Sequence, residues 1–158
     1  MTRPGGAKLA FALDECALHA AVLAEAAQTL PGCFDAGDVA ANSIEVRRSL
    51  VQLAYRFMKL PVGLGKKVLP GLLIAKLDPL PPHATFAEKL QRLDRLGAVP
   101  CAEDRRLLHE VRNSLAHVYA ENPAIQAEAL TRLLTSVRSL LSIWSQLSLF
   151  AEAHLQTG

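Results

Sequence analysis

Aromatic side chains are scarce: Phe, Trp and Tyr make up 5% of the 158 residues. A β-sheet core usually draws on aromatic and β-branched residues, so this shortage argues against a sheet. Cysteine is scarcer still. Cys16, Cys33 and Cys101 are odd in number and widely separated. They offer no Cys-x-x-Cys pair and no Cys/His spacing suited to zinc, which excludes a disulfide framework and a zinc site. Free buried thiols in a reducing cytoplasm are expected instead. Neither sign of charge dominates, because 17 Lys and Arg against 15 Asp and Glu leave a net charge of +2. That balance neither requires nor excludes nucleic acid, so any such contact must rest on a few placed cations. Long apolar runs are missing too, and none approaches the roughly 20 residues that span a bilayer. Asp14 and Glu15 break the apolar stretch AKLAFAL, which argues against a secretory signal there.

What the chain has in abundance is Ala and Leu, within a hydrophobic fraction of 51%. Both are strong helix formers. A chain of this length fits one domain over residues 1–158, and the high apolar content suggests that a second subunit covers one face. Residues 1–6, MTRPGG, read as a frayed start. The spacing predicts a first helix from about Ala7 to Leu30, stopped by Pro31-Gly32. Asp35 or Asp38 can cap a second helix reaching about Leu60, with apolar positions at Ile44, Leu50, Val51, Ala54, Phe57 and Met58. Pro61 and Gly63 are expected to end it. A short helix near 64–76, kinked or interrupted at Pro70-Gly71, should follow, then a rigid turn. A further helix is expected from Thr85 to Gly97 and another from about Glu103 to Tyr119. The last begins at Pro123 and runs to about Ala153, with Leu130, Leu133, Leu134, Val137, Leu140, Leu141, Trp144 and Leu147 as its core stripe. The expected class is all-α: an antiparallel up-and-down bundle of four long helices plus one short extra helix.

Within EVRNSLAHVY, the polar residues Arg112, Asn113, His117 and Tyr119 fall in eight positions of one helix. Asn113 and His117 stand one turn apart on one face, and Arg112 lies about 140° from His117. The neighbours Leu107, Leu108, Val111, Leu115 and Val118 are apolar, so this polar wedge needs partners or a purpose. A purely structural account is open: Asn113 bonds His117, Arg112 pairs with Glu110 or Glu121, and Tyr119 packs.

The pattern Arg-Asn-x-x-x-His-x-Tyr resembles the signature of the HEPN superfamily, and within it the HepT-like toxins paired with MNT-type minimal nucleotidyltransferases. LDRLGAVP resembles the Leu-Gly turn, closed by Pro, that precedes the family's motif helix. YRFMKL followed by GLGKKVLPGLL resembles the basic middle segment of one HepT-like subgroup. The likeness spans roughly residues 45–150, whereas the segment AENP after Tyr119 and the first 40 residues have no counterpart.

That resemblance implies a HEPN-like bundle that forms a homodimer with two motif helices facing each other. It implies a cytoplasmic, metal-independent endoribonuclease without a cofactor, in which Arg112 and His117 are the catalytic pair and Asn113 a polar helper. It also implies a nucleotidyltransferase antitoxin that silences the toxin by adding AMP to Tyr119. The chemistry suits these residue types. Histidine can exchange protons near neutral pH, and guanidinium matches phosphate oxygens with a planar fork. Arg105 and His109, four positions apart upstream of the motif, are candidates for lining the RNA approach. Arg48 and Arg56, with Arg47, Lys59, Lys66 and Lys67, are candidate phosphate contacts. An ordinary solvated face is the competing account of both groups. His19, His83 and His154 look isolated and receive no role. Two other functional readings fit the same sequence: a non-catalytic binding subunit of a minimal nucleotidyltransferase, and a plain helical interaction domain.

Overall fold

A computed structural model describes residues 6–30, 35, 37, 44–76, 79–81, 83–97 and 122–155. Every regular element among them is helical. In chain order these are α1 (Gly6–Gln28), α2 (Ile44–Gly63), a π-helical turn (Leu64–Val68), α3 (Leu69–Ala75), α4 (Phe86–Arg95) and α5 (Pro123–Leu155). The all-α class is as expected. The helix expected over 103–119, the turn at Pro100-Cys101, and Asp38 as a cap lie outside the described residues, as do Cys33 and Cys101.

One apolar cluster takes residues from every described helix. From α1 and the bend after it come Leu9, Ala12, Cys16, Ala20, Leu23, Ala26 and Leu30, spaced by three or four so that they form a single stripe. Much of that stripe is small. α1 therefore lies close along α2, and it also touches the π turn, α3 and α5. α5 begins on Asn122, whose Oδ1 accepts the Ala124 N–H at 2.9 Å, with Pro123 in the first turn. Of its expected stripe, Leu130, Leu133, Leu134, Val137, Leu140 and Leu147 are buried, while Leu141 and Trp144 pack at the margin. α4 begins with a capping box in which Thr85 Oγ1 accepts from Glu88 N and Glu88 accepts from Thr85 N. It ends at Gly97, whose φ of 83° is readily adopted by glycine and rarely by other residues.

Between Ile44 and Ala75 the stop expected at Pro61 and Gly63 is absent, and the interruption expected at Pro70-Gly71 takes the form of a π turn just before it. Pro61 lies inside α2, and the helix passes Gly63 into the π turn and on into α3 without a gap. The hydrogen bonds explain how. In α-helical register the Leu69 N–H would reach the Gly65 carbonyl, but here it bonds to Leu64 O, one residue further back. In that wider register the Gly65 carbonyl faces residue 70, a proline with no N–H to give. Lys89 Nζ supplies the missing donor from α4, at 2.7 Å and partly buried. Gly65 also leaves room for α4, since a Cβ there would sit 2.9 Å from Phe86 Cδ2.

The apolar positions expected on α2 divide between two faces. Phe57 joins Leu53 and Leu60 in the core. Val51 and Met58 lie on the opposite, exposed face with Tyr55 and Val62. Leu50 and Ala54 are half-buried.

Lys89→Met should cost about 1–3 kcal/mol by leaving the Gly65 carbonyl unpaired, and Gly65→Ala a similar amount by crowding a rigid ring. Urea denaturation at neutral pH measures both. In a Pro70→Ala background, which restores an N–H at residue 70, the cost of Lys89→Met should shrink.

Candidate functional site

Arg112, Asn113, His117 and Tyr119, together with Arg105 and His109, lie outside the described residues. Of the three arginines considered as phosphate contacts, the side chain of Arg47 lies outside those described and Arg48 is exposed on α2. Arg56, two turns further along, is partly buried against α1. Its Nη1 stands 2.8 Å from His19 Nδ1. A guanidinium only donates, so Nδ1 must accept, which assigns the ring proton to Nε2 and leaves the imidazole neutral. Arg56 Nε is closed off from solvent with no hydrogen-bond partner, and among the described residues no carboxylate pairs with this side chain.

His19 was expected to stand alone and does not. Partial burial holds it below its ordinary value of 6.5, and the Arg56 charge acts in the same direction. Glu15 opposes that shift and Lys59 adds to it. The contact arises because α1 and α2 pack side by side, bringing together residues 37 positions apart. No local spacing announces it.

Tyr55, 51% exposed, stands next to Arg56. The Arg56 guanidinium carbon lies 5.4 Å from its ring centroid and Lys59 Nζ 5.6 Å from it. Contacts of this kind at exposed sites are worth about 0.5–1 kcal/mol each. Tyr55 was not singled out from the sequence, although its four-residue spacing to Lys59 was a legible signal for one of the two contacts. Nearby, Lys67 Nζ meets Glu15 Oε2 at 3.3 Å with both side chains about half exposed. Such a surface pair contributes at most about 1 kcal/mol.

Cys16 is a buried free thiol, as expected. Burial first, and then Glu15, push it up to about 11 against a lowering by Lys67. It is therefore protonated and unreactive at neutral pH. His83 is exposed. No group of three or more His, Cys, Asp and Glu gathers among the described residues to hold a metal. No helix among them is long and apolar enough to cross a membrane.

The described side chains thus form a basic and aromatic cluster of Arg56, Tyr55, Lys59 and His19 at the α1–α2 seam. It offers donors and a ring face, with no nucleophile poised beside a base. No family model, curated protein or solved structure matches the chain.

The lowered His19 value fixes the sign of a pH effect. The unfolded chain binds a proton at this residue more readily than the folded one, so the folded state gains stability as pH rises. That contribution is complete above about 6.5 and declines as pH falls below it. The melting temperature should therefore drop between about pH 7.5 and 5, and less steeply in His19→Asn, whose neutral amide oxygen can still accept from Arg56. Thermal melts monitored by circular dichroism across that range provide the check.

Proposed function

We propose that this chain is a toxin-type endoribonuclease of a HEPN–MNT toxin–antitoxin pair, cutting RNA without a metal or cofactor at a composite site of a homodimer. The observation that carries the reading is the sequence Arg112-Asn113-x-x-x-His117-x-Tyr119, which puts the family's functional residue types at the family's spacing. Two described features support it. Every described element is a helix, and α4 ends in a left-handed turn at Gly97, within the Leu-Gly-x-x-Pro stretch that precedes the motif.

In this proposal the RNA 2′-OH attacks the adjacent phosphorus and the P–O bond to the 5′ oxygen breaks, leaving a 2′,3′-cyclic phosphate and a 5′-OH. One imidazole takes the 2′-OH proton and a second protonates the leaving oxygen. A chain with one motif histidine obtains that pair from His117 of both protomers across the two-fold axis. Arg112 compensates the negative charge that builds on the phosphoryl oxygens, and Asn113 orients the imidazole by hydrogen bonding. The partner nucleotidyltransferase silences the site when the Tyr119 oxygen attacks the α-phosphorus of ATP and pyrophosphate leaves. The resulting anion sits where Arg112 would meet RNA phosphate.

His117→Ala should lower RNA cleavage by at least about 100-fold while leaving the dimer folded; a gel assay paired with size-exclusion chromatography measures both, and undiminished cutting would remove the nuclease reading. Co-expression with a minimal nucleotidyltransferase should add the mass of one AMP residue to the intact chain but none to Tyr119→Phe. No gain on the natural sequence, or one that persists without the hydroxyl, counts against the silencing step.

A further inference from the structure

The modest net charge conceals a strong segregation. Seven of the 17 Lys and Arg, and none of the 15 Asp and Glu, fall between Val46 and Leu77, so this stretch carries +7 and the rest of the chain −5. Six of these seven cations lie on the continuous helical run from α2 through the π turn into α3 (Ile44–Ala75), whose one carboxylate is Glu45 in its first turn. Along α2, Arg48, Gln52, Tyr55, Lys59 and Val62 recur every three or four residues and are all exposed, which lines them along one face. Lys66 is exposed one turn beyond. Next to this line, Val51 and Met58 leave apolar surface uncovered.

We infer that this face of α2 is a contact site for single-stranded RNA, with the Tyr55 ring stacking on a base and Arg48, Lys59 and Arg56 meeting the flanking phosphates. The inference rests on RNA being the ligand, as in the proposed function, but it concerns a surface separate from the motif and a binding role rather than a catalytic one. Single-strand binders combine a cationic track with ring faces on which bases stack whatever their sequence. Both elements are present, and among the described residues no carboxylate pairs with Arg48, Arg56, Lys59 or Lys66 to compete with phosphate. Lys59 reaches the Tyr55 ring on a flexible, exposed stem. A base can displace it from the ring, freeing its ammonium for the next phosphate. Arg56 is held in place by His19, so its guanidinium is already positioned at the seam. A base-paired duplex does not suit the same surface, because its bases are stacked on one another and closed to a single ring. An anionic membrane would meet the cations, but interfacial helices typically present Trp, Phe and Leu, and the exposed aliphatic side chains of α2 are Val51, Met58 and Val62.

Binding is read by fluorescence anisotropy at low salt. The full chain carries His117→Ala so that the probe, a short fluorescein-labelled single-stranded RNA, stays intact. Tyr55→Ala should weaken binding by about 5- to 100-fold, whereas Tyr55→Phe, which keeps the ring, should bind as the parent does. Lys59→Ala and Arg48→Ala should each weaken binding and reduce the slope of log K against log salt by about 0.7. An abasic oligomer with the same phosphates should bind more weakly and ignore Tyr55→Ala. Equal binding by Tyr55→Ala and the parent, with melting curves showing both folded, would overturn the assignment. So would binding to phosphatidylserine vesicles without binding to RNA, which would give the face to a membrane. Cleavage by the natural sequence is scored separately. Loss of the Tyr55 effect with cleavage intact sinks only this contact site, and a preserved Tyr55 effect without any cleavage sinks only the nuclease.

Discussion

Small side chains let α1 and α2 come close, and the rest of the described structure is arranged around that approach. A Cβ on Gly63 would lie 3.0 Å from Cys16 Sγ, and Ala12 and Ala20 continue the same narrow seam along α1. Because the two helices touch along their length, His19 is brought against Arg56, and the π turn that continues α2 brings Lys67 against Glu15. The same contact decides which side of α2 is left outward. Leu53, Phe57 and Leu60 turn into the core, so Tyr55, Lys59 and Arg48 are left exposed, with Tyr55 and Lys59 beside Arg56 at the rim of the seam. A core requirement therefore sets the composition of an exposed face.

Continuity of the helical run from α2 into α3 depends on a second device. A proline in a helix leaves one carbonyl without its donor, and a buried carbonyl without a partner is costly. Here the π turn moves the orphaned group to Gly65, and Lys89 reaches it from a neighbouring helix. The bulge and the lysine work together: one makes room for the pyrrolidine ring and the other satisfies the oxygen. The outcome is an unbroken cationic element in place of two short helices joined by a loop.

The two parts of the functional reading have different foundations. The catalytic proposal stands on the spacing of Arg112, Asn113, His117 and Tyr119 in the sequence. The RNA-contact proposal stands on side chains whose neighbours are seen, above all Tyr55 with two cations close to its ring. They meet in one physical requirement. A nuclease acting on a flexible polyanion needs the strand held near the cutting groups for long enough to react, and fixed charges and ring faces outside the cutting site serve that end.

Much of the helical plan was legible from residue order alone. Thr85 with Glu88 three positions later announced the start of α4 and Gly97 its end; Asn122-Pro123 marked the start of α5, and the leucine spacing along it marked the buried stripe. These signals are local, made by side chains within a turn or two of the backbone they act on. Pro61 was no stop, and the way the run passes Pro70 was not legible either, since the donor involved comes from Lys89, 24 positions from the carbonyl it serves. The partnership of His19 with Arg56 was equally invisible, because its members are 37 positions apart and neither is unusual by itself. Sequence by itself determined that this chain is helical, where several of its helices start and stop, and which residue types could handle phosphate. Tertiary structure alone decided which side of α2 faces outward and which distant cation meets which ring, since those outcomes depend on how helices far apart in the chain pack together.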